Sequence, residues 1–168
     1  AGGQAKITAC DASQTRLAKV RENIQRLGLK QVEVQELDAA LAPLPKANKI
    51  LLDVPCSGTG VLNRRPDARW KRQESDITSL VGIQSRILTN SWKYLAPGGL
   101  LVYATCTLEP DENWELIDSV LEQLDQASVE AIDAENLKAY IDERGALSTL
   151  PWRHGMDGMF AVKIRKAL

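Results

Sequence analysis

The sequence predicts an α/β fold with a doubly wound, largely parallel sheet, and three observations carry that prediction. Short apolar strands alternate with amphipathic helices from Lys6 to Leu108. Acids or thiols stand directly after several of those strands, at Asp11, Asp53 and Cys106, where open α/β sheets collect their ligands. The 168 residues are 44% hydrophobic and 26% charged, the make-up of one globular domain, so residues 1–168 are read as a single domain.

Ile7 to Cys10 reads as a strand ending at Asp11. Ser13 is placed to cap a helix reaching Leu27, because Leu17, Val20, Ile24 and Leu27 recur at three- and four-residue steps. Gly28 stands where a left-handed residue closes such a helix. A strand near Val32–Gln35, a loop with Asp38, Pro43 and Pro45, and the buried run Ile50–Leu52 ending at Asp53 follow. Ile77, Leu80, Val81, Gln84, Ile87 and Leu88 mark one face of a long helix from about Asp76 to Tyr94, stopped by Pro97-Gly98-Gly99. Leu100–Ala104 is the next buried strand. Pro110 then lies near the first turn of a helix running through Leu116, Ile117, Val120, Leu121 and Leu124. Val129–Ile132 and Met159–Ile164 are expected to finish the sheet as a terminal antiparallel hairpin.

Composition removes several classes. A disordered tail, a collagen and a disulfide mini-protein are excluded, and no stretch approaches the roughly 20 apolar residues that cross a bilayer. The start AGGQAKITAC lacks the features of a signal peptide, so a soluble, cytoplasmic protein without membrane contact is expected. Cys10, Cys56 and Cys106 are too far apart for a disulfide framework, and with a single histidine they offer no metal-ligand spacing. A net charge of −1 argues against a uniformly basic nucleic-acid binder and leaves local patches open.

Asp11 follows a strand in the position of a ribose-binding acid, or it caps the helix that begins at Ser13. Asp38 reads first as an ordinary loop acid. Asp53-Val54-Pro55-Cys56-Ser57-Gly58-Thr59-Gly60 is more informative: a strand enters a stiff Pro-Cys and two glycines that let a ligand come close. Cys56 alone could be a small buried turn residue. Cys106, in Tyr103-Ala104-Thr105-Cys106-Thr107, ends the next strand, so two thiols should face one crevice. No C-x-x-C motif supports a disulfide oxidoreductase. Covalent catalysis fits better: a thiolate adding to C6 of a pyrimidine makes C5 a carbon nucleophile that takes a methyl group from a sulfonium donor. A carboxyl group near N3 would stabilise the charge developing on the ring.

DVPCSGTG and YATCTLEPDEN resemble the paired signatures of RNA cytosine-5 methyltransferases of the Sun/nucleolar-protein family, and GVLNRRPDARW resembles the bacterial 16S rRNA branch. ITACDASQTRLAKVRENIQRLG is similar to its cofactor-ribose strand and helix, and HGMDGMFAVKIRK to its closing DGFF motif, with Met159 in place of the first Phe. The resemblance implies a Rossmann-like fold dependent on S-adenosylmethionine and methylation of a cytosine in RNA, with ribosomal RNA as the expected partner. It further implies that Cys106 is the nucleophile and that Cys56 promotes product release. Asp53 is assigned a place between cofactor and base, and Asp11 and Asp38 the adenosine part of the cofactor. The family's first strand and CAAPGGKT-type loop are not found, so an N-terminally incomplete domain is expected, with Ala1-Gly2-Gly3-Gln4 as the end of the following loop.

Arg64, Arg65, Arg69, Lys71 and Arg72 cluster with Trp70 between the thiol motifs, which is what phosphate contacts and base stacking on single-stranded RNA require. The plainer reading is a solvated loop with Trp70 in the core. Trp92, Trp114 and Trp152 are read as core or helix-face residues, and His154 as a surface or capping residue. A DNA cytosine-5 methyltransferase would need a Glu-Asn-Val motif, and an amino-group methyltransferase an Asn/Asp-Pro-Pro-aromatic motif; neither is found. An inactive RNA-binding fragment is the alternative from another class.

Overall fold

A computed structural model describes residues 5–168, and the expectation for residues 1–4 lies outside the described residues. The chain forms two compact units, residues 1–45 and 46–168.

The first unit is a βαβ unit. Strands β1 (Ile7–Asp11) and β2 (Val32–Glu36) pair in parallel, with Asp11 opposite Glu36, and helix α1 (Gln14–Leu27) connects them. Ser13 caps α1 as expected, its hydroxyl accepting the Arg16 N–H. At the other end Gly28 takes φ +64°, and the Gly28 and Leu29 N–H groups close onto the Gln25 and Ile24 carbonyls in a Schellman arrangement. Leu17 is the buried anchor of α1.

The second unit holds the main core. Strand β3 (Ala47–Asp53) pairs in parallel with β4 (Leu95–Thr105), so that Asp53 lies opposite Ala104. The short α2 (Ala68–Lys71) and the long α3 (Glu74–Tyr94) lie between them in sequence. Helix α3 starts earlier than its apolar periodicity indicates because Asp76 is the third residue of a capping box with Gln73: the Gln73 N–H donates to Asp76 Oδ2 at 3.0 Å. After β4 the helix expected from Pro110 is broken in two. Pro110–Glu112 forms a 3-10 turn, and α4 runs only from Trp114 to Leu121, because Asn113 leaves helical geometry at φ −113°, ψ −112°.

The C-terminal expectation needs correction. Strands β5 (Ala127–Glu130) and β7 (Met159–Lys166) are antiparallel, but they do not form a simple closing hairpin. An unforeseen strand β6 (Leu147–Thr149) pairs with the start of β7, helix α5 (Pro151–His154) intervenes, and the other edge of β7 runs antiparallel to β4. This sheet has the order β3-β4-β7-β5. Leu101, Tyr103, Val162 and Ile164 from its centre are fully buried with Leu88 of α3 and Ile117 and Val120 of α4. Each such aliphatic side chain contributes about 1.5–3 kcal/mol by leaving water. No helix among the described residues is long and apolar enough to cross a membrane.

Candidate active site

The parallel pairing of β3 and β4 delivers Asp53 and Cys106 to the same sheet end, and the stiff Val54-Pro55 step carries the chain from Asp53 to Cys56. The two sulfurs come to 3.2 Å, a hydrogen-bond contact, and the Cys106 N–H donates to Cys56 Sγ at 3.3 Å. The thiols are half-buried. Asp53 is exposed and, among the described residues, has no hydrogen-bond or ion-pair partner. The two thiols therefore meet at one end of the sheet, with the exposed Asp53 carboxylate on the adjoining strand end.

The thiols are not equivalent. The hydrogen bond from Cys56, helped by the charge of Arg65, pulls the Cys106 thiol down to about 7 against the opposing effects of burial and Asp53. The same bond and deeper burial push Cys56 well above the ordinary thiol range. Cys106 is thus the sulfur that ionises near neutrality, while Cys56 keeps its proton and donates it to the hydrogen bond.

Glycines allow the loops to close over this pair. Gly58 takes φ +75°, and Gly60 donates its N–H to the Cys106 carbonyl at 3.1 Å. Below the sulfurs lies a polar cluster that sequence reasoning missed. Glu112, fully buried, accepts from the Ser57 N–H at 2.9 Å, from Gln84 Nε2 at 2.8 Å and from the Thr107 hydroxyl at 2.9 Å. Ser57 Oγ and Thr107 Oγ1 share a 2.6 Å bond. Asn113 accepts from the Thr105 hydroxyl and donates to the Thr107 carbonyl. The signal for this cluster was Gln84, a polar residue on an otherwise apolar helix face, facing the polar run from Thr105 to Asn113.

The basic segment is on the surface. Arg64, Arg65, Pro66, Asp67, Ala68, Lys71 and Arg72 line an open groove of about 640 Å³. Trp70 is 84% exposed, which overturns the reading of it as a core residue, and neither it nor Arg69 lines the groove. Two of the five cations have internal partners: Arg64 is ion-paired to Asp157 at 2.8 Å, and Arg72 Nε donates to the Ser57 carbonyl at 3.1 Å. Trp92 is core and Trp114 packs edge-on against Phe160, whereas Trp152 is exposed on α5. His154 accepts the Leu150 N–H through Nδ1 and so caps α5, as expected.

In the first unit Asp11 and Asp38 lie at the same end of the β1–β2 pair, where the Leu37 N–H donates to the Asp11 carbonyl. The Asp11 carboxylate takes two bonds from Arg16 and one from the Ser13 N–H, which holds it below the usual carboxylate range. Asp38 Oδ1 accepts the Ala40 N–H in its own turn. Cys10 is exposed on β1 and takes no part in the core. Among the described residues no group of three or more His, Cys, Asp or Glu is spaced to hold a metal ion.

A family model described as 16S rRNA methyltransferase RsmB/F matches residues 1–165. The chain belongs to the RsmB/F family. It is 39% identical over 170 residues to the ribosomal RNA small subunit methyltransferase B of Erwinia tasmaniensis, and 42% identical over 167 residues to that of Klebsiella pneumoniae strain 342. Those matches cover 99% and 97% of this chain but 38% and 37% of the relatives, so the chain spans less than two-fifths of their length. Among solved structures it resembles NSun6 from Pyrococcus horikoshii with SFG, at TM-score 0.85 and 33% identity over 99% of this chain and 42% of that one. The Rossmann-like methyltransferase fold expected of an RsmB/F sequence is the fold observed.

Proposed function

We propose that this RsmB/F chain carries the catalytic thiols of an S-adenosylmethionine-dependent RNA cytosine-5 methyltransferase acting on 16S rRNA in the cytoplasm, with residues 1–168 belonging to one catalytic domain. The observation that carries the reading is the unequal thiol pair: one sulfur ionised near neutrality, hydrogen-bonded at 3.2 Å to a second that stays protonated. A disulfide oxidoreductase also pairs a readily ionised thiol with a protonated one, but on a C-x-x-C spacing, whereas Cys56 and Cys106 stand 50 residues apart; a metal site would hold both sulfurs as thiolates. A nucleophile that must later depart needs this asymmetry.

The residues suit the methyl donor. Asp11 has three of its roughly four lone-pair positions in use, which leaves room for one ribose hydroxyl, and Asp38 is the second acid at that strand end. Asp53 offers an unpaired carboxylate beside the thiols. S-adenosylmethionine, when bound, supplies an electrophilic methyl group. The remaining chemistry belongs to the chain. Cys106 sulfur adds to C6 of the cytosine, and the displaced π electrons make C5 nucleophilic while Asp53, as the carboxylic acid, donates a hydrogen bond to N3. After C5 is methylated its proton leaves to solvent water, the C6–S bond breaks, and the electron pair returns to Cys106. The Cys56 S–H, donating to that sulfur, stabilises it as it departs. Arg65, Arg69 and Lys71, with Arg64 and Arg72 behind them and Trp70 as a stacking surface, are assigned to the RNA.

The test is a cross-linking experiment on the full-length protein. Cys106→Ala should abolish methylation and leave no covalent RNA adduct. Cys56→Ala should accumulate protein joined to methylated RNA, running as a slow band on a denaturing gel. The reverse pattern would make Cys56 the nucleophile and overturn the assignment.

A further inference from the structure

We propose that Glu112 is the positioning residue of the two-thiol site, its buried carboxylate clamping the Cys56 loop to the Cys106 loop. A carboxylate fully removed from water is expensive unless its lone pairs are bonded, and among the described residues Glu112 has no ion-pair partner. Three donors converge on it instead, and two belong to the residues that directly follow the thiols: the Ser57 N–H and the Thr107 hydroxyl. The third, Gln84 Nε2, also donates to the Pro55 carbonyl, directly before Cys56. The Gln84 amide is committed to both acceptors, and its Oε1 is left buried without a partner.

These bonds close a ring. From Cys56 it runs through Ser57, the Glu112 carboxylate and Thr107 to Cys106, and the 3.2 Å sulfur contact completes it. The Ser57–Thr107 hydroxyl bond braces the same two loops. With both flanking residues held on one carboxylate, the two loops that carry the sulfurs cannot separate unless a buried bond breaks. The Tyr103 hydroxyl fixes the clamp from the sheet side by donating to the Glu112 carbonyl at 2.8 Å. A polar cluster serving stability alone would have no need to meet the chain next to each thiol.

The inference rests on the two-thiol reading above, but its test needs no RNA, so the two can fail separately. Alkylation of Cys106 by iodoacetamide is followed against pH on the full chain, with peptide-resolved mass spectrometry, for wild type, Glu112→Ala, Glu112→Gln and Thr107→Val. Loosening the clamp weakens the bond from Cys56, so the alkylation midpoint of Cys106 should rise in Glu112→Ala and in Thr107→Val. A rise of about one pH unit slows alkylation at pH 7 by about fivefold. Glu112→Gln keeps one acceptor for Ser57 and Gln84 and turns its NH2 to the Thr107 hydroxyl, which accepts once its own proton turns to the Ser57 Oγ, so its midpoint should not rise. Should Glu112→Ala fail to fold, Thr107→Val decides. Midpoints unmoved in the folded Ala and Val variants, or a Gln variant displaced upward as far as Ala, would overturn the clamp.

Discussion

The backbone of Gly158 lies directly against that of Gly60: the Gly158 N–H donates to the Gly60 carbonyl at 2.8 Å, and a Cβ built on Gly158 would stand 2.8 Å from Gly60 Cα. A Cβ on Gly60 would in turn press on the Gly158 carbonyl and lie 2.9 Å from the Cys106 oxygen. The closing DGMF motif thus packs on the loop after Cys56, and it does so only because both residues lack side chains.

Gly60→Ala and Gly158→Ala should each therefore destabilise the protein by about 1–3 kcal/mol or more, since backbone atoms cannot swing aside as a flexible side chain can. Gly28→Ala is the control, because nothing lies within 4 Å of its Cβ position and the strain of φ +64° alone costs about 1–2 kcal/mol. Urea unfolding of the three variants gives the comparison. Equal losses at all three positions would mean that the contact between the glycines is unimportant.

The sequence made legible whatever depends on local spacing. The Ser13 cap, the Gly28 stop and the apolar face of α3 placed their elements to within a few residues, and the two thiol motifs fell on neighbouring strand ends as expected. Long-range pairing escaped it. Only tertiary contact puts β7 between β4 and β5, and β6 is too short for a periodicity to register. Asn113 splits an expected helix because its amide is drawn to Thr105 and Thr107, a local conflict that the spacing of Leu116, Val120 and Leu124 does not reveal. The Glu112 cluster stayed hidden for the same reason, since its donors come from three segments far apart in the chain. The basic stretch around Trp70 admits either a core or a surface indole, and its exposure places it on the surface.

Arg144 stacks over the Trp114 ring at 3.7 Å and is ion-paired to Asp118, whose carboxyl it holds below the usual range. Arg144→Ala should cost about 0.5–2 kcal/mol, mostly through the lost ring contact, because the ion pair is half-exposed and screened. The sign of the pH effect follows from a depressed folded value. The pair's contribution is present above the unfolded Asp value of about 3.9 and is lost as pH falls through the lower folded one. Thermal melts at successive acid pH values should show the gap between wild type and Arg144→Ala narrowing by the ion pair's share while the ring contact's larger part remains. A constant gap down to strong acid would exclude the ion pair as a contributor.

The basic segment makes a separable prediction. If Arg65, Arg69 and Lys71 are the residues that meet phosphate, replacing all three by Ala should weaken RNA binding and flatten its salt dependence. Each lost contact lowers the slope of log K against log salt by roughly 0.7 for a single strand, so about 2 in total. Arg64→Ala and Arg72→Ala should instead lower stability, since those side chains hold the segment on Asp157 and on the Ser57 carbonyl. An unchanged slope in the triple variant would remove the basic segment from the RNA surface.

The thiol pair itself predicts an unusual pH profile. With Cys106 drawn down to about 7, its alkylation should reach half its maximal rate near pH 7, while Cys56 stays unreactive well above that, held protonated by the shared bond and by burial. Cys56→Ala removes the donor that is the largest cause of the lowering. The Cys106 midpoint should then move upward, toward the ordinary free-cysteine value of about 8.5, leaving Arg65 and a backbone N–H as the favourable influences. Arg65→Ala should move it in the same direction by less, because a through-space charge is the smaller cause. The sign is decisive. Cys56 held as the thiolate would repel the charge on Cys106, so removing it would lower the Cys106 midpoint; a downward shift in Cys56→Ala would show that the proton resides on Cys106 and that the two sulfurs exchange roles.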